Sequence, residues 1–488
     1  MEFRVFKNGK AVNDFPLSGA YLFGTDGIAI RRARILSKGG VVSCMKPNMQ
    51  TAGLALLWPV EGFGSVLLPT TCLPEKNTRY NLNLEIARGK LMQIVNKRED
   101  WSYFDHLDGL DDAFNTARDL FIRALQKISD PPAAAKLADE SLEKALDFSE
   151  QLALRQAESL LRMRGRNRGF GRRCLGCVID PERITDSNYL AAVLDCFPFV
   201  TIPATWAQIE PQKGKYDFSL LDSAIQVLSK KRVAICVGPL LRFTKPCLPQ
   251  WLLASRTSYE KIREAAYRFV GRTVARYAGN VHTWRIIAGL NAFNHFGFSF
   301  EQTLEMTRAA TMAARAAGNR GVRIVELSNP WGEYYADTPS TIPPLVYMDM
   351  VVQSGINFDA FGLALRFGKN DRGMHIRDML QISAVLDYFG AVGKPLYVTE
   401  VEVPAANHDQ AAMAGLWRGP WDPQRQGLWL EQFYKVALSK PFIDTVSYAH
   451  FVDTENSELA HSGLFDAQLK PKPAIEALHK LQEQVFKK

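Results

Sequence analysis

Apolar and polar positions change rhythm twice along the chain, dividing it into three regions. From residue 1 to 78, the short apolar runs GAYLF, GVVSC, GLALLW and SVLL are separated by Gly, Pro, Asn and Asp. That is the pattern of short strands joined by turns, and burying one face of each predicts a small β-sandwich-like region. From 79 to 168 the period becomes three and four. Leu110, Ala113, Phe114, Ala117, Leu120, Phe121, Ala124 and Leu125 fall on one helical face, and Asp130-Pro131-Pro132 ends it. Leu137, Leu142, Ala145, Leu146 and Leu152 mark a second helix, so a helical hairpin is predicted. From 169 to 488, apolar strand-like runs alternate with helical stretches. The runs are LGCVI (175–179), PFVTIP (198–203), VAICVGP (233–239), TWRIIA (283–288), VRIVEL (322–327), FDAFGLAL (358–365), PLYVTE (395–400) and TVSYAHF (445–451). Near-continuous apolar strands are those covered on both faces. Eight such β/α units in roughly 310 residues predict an α/β fold of the (β/α)8 TIM-barrel type.

Composition adds limits. Hydrophobic residues make up 47% and charged residues 23% of the 488 residues, ordinary values for a soluble globular chain. No apolar run approaches the roughly 18 residues of a membrane helix. The opening MEFRVFKNGK has no apolar signal-peptide core, so the expected location is cytoplasmic and no membrane partner is expected. Seven cysteines are scattered, and the C-L-G-C pair at Cys174 and Cys177 has no second pair. They read as small buried strand residues, so neither metal nor cofactor is expected. The net charge of +8 is partly local, with Arg155, Arg162, Arg164, Arg166, Arg168, Arg172 and Arg173 in one run. Only Phe170 lies among them, without the interleaved series of aromatics on which a nucleic-acid groove stacks bases. A solvated helix end is expected there, not a nucleic-acid contact.

Catalytic residues of a TIM barrel stand at the C-terminal ends of its strands. Glu400 stands at such an end, in YVTEVEVP (397–404). After the second strand, Trp206, Glu210, Pro211, Gly214, Tyr216 and Phe218 form a W-x3-E-P-x2-G-x-Y-x-F pattern, similar to the same region of retaining glycosidases built on TIM barrels. More specific are DTENS (453–457) and HSGLFDAQLKPKPAIEALHKL (461–481), RRCLGCVIDPERITDSNYLAAVLDCF, LPQWL (248–252), FDAFGLAL and YVTEVEV. In order and spacing they resemble glycoside hydrolase family 10, the xylanase family, over roughly residues 174 to 484. The resemblance does not reach the first 170 residues, of which the β-rich region 1–78 reads as either a carbohydrate-binding-like or a packing module.

The resemblance implies cleavage of β-linked, xylan-type saccharides by a nucleophilic glutamate on the seventh strand and an acid/base glutamate on the fourth. Retention of configuration requires the two carboxyls about 5–5.5 Å apart. Glu400 takes the nucleophile's position. The fourth strand, however, reads WRIIAG, with Ala288 for the expected asparagine and Gly289 for the acid. No carboxylate occurs anywhere in HTWRIIAGLNAFNHF. Sugar-binding positions on the second, third and sixth strands are also rewritten, the last falling on Ala364 and Arg366.

Glu326 at the end of the fifth strand is therefore the candidate replacement acid. Asn291 and His295 in the fourth loop and His450 at the end of the eighth strand are further candidates, since a histidine delivers protons near neutrality. Trp206 and Trp331, with Arg366, Asn291, His295 and His450, form the expected substrate-binding set. Trp251, Tyr334, Trp417, Trp421 and Trp429 are further aromatics in strand-end loops or early helices. Two readings follow. One is a retaining glycoside hydrolase with Glu400 as nucleophile and a displaced or missing acid, favoured by the retained Thr-Glu context. The other is a catalytically inactive glycan-binding or scaffolding protein, favoured by Gly289.

Overall fold

Eight strands close into a barrel in the computed structural model. It describes residues 1–488 except 102–110, 168, 172, 232, 255–256, 319, 409, 455–457 and 487–488. Leu110, Arg168, Arg172 and part of DTENS thus lie outside the described residues. The strands are β1 Leu175–Val178, β2 Phe199–Ile202, β3 Ala234–Val237, β4 Thr283–Ala288, β5 Val322–Ser328, β6 Ala360–Arg366, β7 Leu396–Glu402 and β8 Ile443–Tyr448. All neighbours are parallel, and β8 pairs with β1 to complete the ring. Both faces are buried, as the continuous apolar runs require.

Two irregularities in the ladder bear on the site. The β4–β5 register shifts between Arg285 and Ile287, and the β6–β7 register slips so that Val398 faces Leu363 but Glu400 faces Ala364. An extra residue, Thr399, is thereby accommodated in β7. A bulge turns the following side chain against the simple alternation of a strand. The buried Arg285 and Glu400 come from these two irregular strands.

Among the described residues, two four-stranded sheets, a two-stranded ribbon and three helices come before the barrel, the helices being α1 Leu82–Asp100, α2 Asp111–Gln126 and α3 Pro131–Arg166. The hairpin read from the period of three and four is α2 and α3, and Asp130 caps α3 through the backbone N–H of Ala133. Helix α1 escaped that reading because it has no single apolar stripe. Leu84, Ile86, Ala87, Lys90 and Leu91 are buried on different sides of it. It lies so close to the strand Gly64–Pro69 that a Cβ at Gly89 would stand 2.2 Å from the Pro69 carbonyl oxygen.

The N-terminal sheets are not independent of the barrel. Leu416–Trp417, in the loop after β7, pairs antiparallel with Gly64–Pro69 and becomes a strand of the second sheet. Lys90 of α1 forms a fully buried ion pair with Asp378, 2.8 Å, at the head of the helix Met379–Gly390 that follows β6. Glu150 of α3 accepts from the Trp417 indole at 2.9 Å and from Arg418. Gln381 donates to the Leu67 carbonyl, and Arg372 to that of Ala20. The first 166 residues thus hold the loops after β6 and β7. Arg164, from the arginine run, donates to the carbonyls of Leu438, Lys440 and Ile443 and fixes the chain entering β8.

Candidate active site

The charged residues at the barrel mouth form one chain of contacts. Arg285 from β4 donates from Nε to Glu326 Oε2 at 2.6 Å and from Nη2 to Glu400 Oε1 at 2.7 Å. Arg366, the last residue of β6, contacts the other Glu400 oxygen through Nη2 and, at 3.2 Å, through Nε. It also approaches Glu402 Oε2 at 3.6 Å and Glu458 Oε2 at 3.4 Å. Glu402 Oε1 accepts from Ser462 Oγ at 2.6 Å and lies 3.5 Å from His450 Nε2.

Exposure separates these groups. The side chains of Glu326 and Glu402 are 0% exposed and that of Glu400 8%, against 22% for Arg366 and 33% for His450. Burial alone pushes the Glu400 carboxyl upward; Arg366, then Arg285 and Arg242, overcome that and hold it well below the usual carboxylate range. Glu400 is ionised at neutral pH, and both of its oxygens are engaged by guanidinium groups. Glu326 Oε1 and Glu402 Oε2 have no hydrogen-bond partner among the described residues.

Position 289 leaves no room for a side chain. Gly289 has φ of +64°, and a Cβ there would meet Ser328 Oγ at 2.6 Å and the Phe293 ring at 2.8 Å. Its N–H donates to the Glu326 carbonyl at 2.9 Å. The backbone turns here in a left-handed conformation that disfavours any side chain, and neighbours fill the space one would need.

The structure unites Glu400, Glu326, Arg366 and His450 in or beside this chain of charges. Glu326, however, is separated from Glu400 by the Arg285 guanidinium and has no exposed surface, so the expectation that it reaches a substrate is corrected. Trp206 is also a correction. It is fully buried, donates to Glu210 Oε2 at 2.8 Å and stacks on Phe269 at 5.3 Å, leaving no face for a sugar. Asn291 is fully buried too, and donates to the Ser328 carbonyl and to the Tyr334 hydroxyl; it ties two loops together. Tyr334, Trp417, Trp421 and Trp429 are buried as well. His295 is exposed, with its ring edge-on to Phe296. Trp331 is partly exposed, lies under the Arg377 guanidinium at 4.4 Å, and lines an apolar cavity of about 780 Å³ between the N-terminal sheet, α1 and the barrel.

The residue missed from the sequence is Arg285. A charge inside an otherwise apolar, fully buried strand is a signal in itself, since buried arginines need partners. Arg242, just beyond β3, was missed as well. It is partly exposed, packs over Phe293 at 4.7 Å and adds to the field at Glu400.

Comparison with known proteins bears on the barrel. A glycoside hydrolase family described as Beta-galactosidase, family 42, matches residues 198–277, the second and third β/α units. No curated protein matches the chain. Among solved structures, a variant of xylanase 10C from Cellvibrio japonicus in complex with xylopentaose superposes with a TM-score of 0.51. The identity is 15%, covering 64% of this chain and 67% of that one. Xylanase B from Clostridium stercorarium F9 gives 0.50 at 15% identity, covering 62% and 96%. Xylanase 10B from Thermotoga maritima gives 0.50 at 16% identity, covering 64% and 96%. The fold of the C-terminal region is a TIM barrel like that of the family 10 glycoside hydrolases.

Proposed function

We propose that this barrel mouth is a saccharide-binding site of glycoside hydrolase design that does not perform acid-assisted cleavage. The observation that carries the reading is the state of the Glu400 carboxylate. A nucleophile in double displacement needs a free oxygen facing the sugar and a proton donor opposite it. Here each oxygen is held by an arginine, and position 289 has neither a carboxylate nor room for one. Losing a general acid alone costs ~10²–10⁴ in rate. The similarity to xylanase barrels and the partly exposed Arg242, Arg366 and His450 support a retained saccharide site.

A second reading rests on one specific observation: Glu400 is ionised and sits at the C-terminal end of β7. In that reading it attacks glycosides whose leaving groups need no proton. A fluorinated aryl glycoside that traps glycosyl-enzymes separates the two. The first reading expects no added mass on the Glu400 peptide, together with saturable xylo-oligosaccharide binding by calorimetry. Labelling that disappears in Glu400→Gln overturns it in favour of the second. Absence of both labelling and binding removes the saccharide reading altogether.

A further inference from the structure

Far from the charged mouth in character, the helix Ser187–Cys196 that follows β1 ends on Asp195 and Cys196. The last helix, Pro473–Phe486, brings His479 against that end. One donor atom from each of Asp195, Cys196 and His479 lies within 4.8 Å of the others. We infer that these three side chains form a binding site for a divalent transition metal ion, zinc by preference, which clips the first barrel helix to the last.

Several observations converge. A thiolate, an imidazole and a carboxylate are the donor set that zinc takes, at about 2.0–2.3 Å from the ion. Donors bound to one tetrahedral ion stand closer together than 4.8 Å, and the gap is closed by side-chain rotation, because Asp195 is exposed and His479 partly so. The backbone is already fixed: Gln482, on the same helix as His479, donates to the Cys196 carbonyl at 2.7 Å. Among the described residues the His479 ring has no hydrogen-bond or ion-pair partner, so binding it breaks no contact. The first helix presents its C-terminus here, and the partial negative charge of that end favours a cation. On binding, the Cys196 S–H bond breaks, the sulfur–metal bond forms and the proton passes to solvent. Three protein ligands leave a fourth position for water.

Sequence spacing alone did not reveal this set, since its members lie at 195–196 and 479, without a second C-x-x-C pair. Its consequence is mechanical. β1 and β8 are the strands that close the ring, and their helices would be joined by the ion.

The test uses the full-length chain stripped with chelator and titrated with Co²⁺. The expected result is one ion per chain with a sulfur-to-cobalt charge-transfer band, displaced by Zn²⁺, and a rise in Tm with Zn²⁺. Cys196→Ser loses the band, and Asp195→Asn and His479→Ala weaken binding by at least about tenfold. His479→Cys restores tight binding, which a merely misfolded His479 variant would not allow. No band, or a band whose affinity is unchanged in His479→Ala, overturns the assignment.

Discussion

Buried ion pairs occur in two regions of this molecule and differ in kind. Where the N-terminal part meets the barrel, the pairing is one to one. Lys90 meets Asp378, which also caps a helix by accepting from the N–H groups of Leu380 and Gln381, and Arg377 meets Glu333. At the barrel mouth the charges are unequal. Arg285 and Arg366 serve Glu326, Glu400 and Glu402, and two of the carboxylate oxygens find no hydrogen-bond partner among the described residues. A paired interface reads as assembly. Both regions leave buried polar atoms without a hydrogen-bond partner, Asp378 Oδ2 and Arg377 Nε among them at the interface; what marks the mouth as a site is its excess of carboxylates and its partly open position at strand C-termini.

The comparison is broken most severely at Arg285. Arg285→Leu leaves two buried carboxylates without their shared counter-ion and is expected to cost about 5 kcal/mol, the upper end for splitting a buried pair, measured by urea unfolding. Should the loss stay below about 1 kcal/mol, the ionised state of the cluster is refuted. At the interface, Lys90→Met is expected to cost about 3 kcal/mol by the same measurement, less because Asp378 keeps its two backbone donors. An equal or larger loss than at Arg285 would reverse the ranking of the two regions.

Acid separates them as well. Burial, then Arg372, lowers the His375 imidazole from 6.5 to about 4 beside the N-terminal sheet. Its neutral form stabilises the fold fully above pH 6.5, and that contribution falls as pH drops from 6.5 toward 4, by up to about 3 kcal/mol. Glu400 is also depressed, but as a carboxylate. Its contribution is complete above about pH 4.5 and is lost only at lower pH. Stability curves should therefore show the interface weakening first, a limb that His375→Gln flattens and Glu400→Gln leaves in place. The smallest expected effect is Gly289→Ala, about 2 kcal/mol from a left-handed backbone and a crowded Cβ. Gly289→Glu is expected to restore no hydrolysis of xylan in a reducing-sugar assay; recovery of activity would show that the backbone there adapts.

Much of this fold is legible without coordinates, and particular residues show why. Eight apolar runs with helical stretches between them specify a parallel barrel, because a strand covered on both faces has to be apolar throughout. Glu400 was recognisable for a related reason: a carboxylate ending such a run has to lie at the barrel rim. Helix α1 was hidden, since burial from several sides erases the period that marks a surface helix. Trp206 and Asn291 were misread because an aromatic ring or an amide near a loop gives the same local pattern whether it faces solvent or core.

By itself, the order of residues determined the eight-fold β/α alternation, the absence of a carboxylate at position 289 and the presence of one at position 400. Only the tertiary structure decided what the Glu400 carboxylate touches. Arg285 and Arg366 are 115 and 34 positions away from Glu400 in the chain, and the Asp195, Cys196 and His479 donors come from its first and last barrel helices. Electrostatic and coordination contacts depend on distances of a few ångströms in space, which strand register and barrel closure fix and local sequence does not.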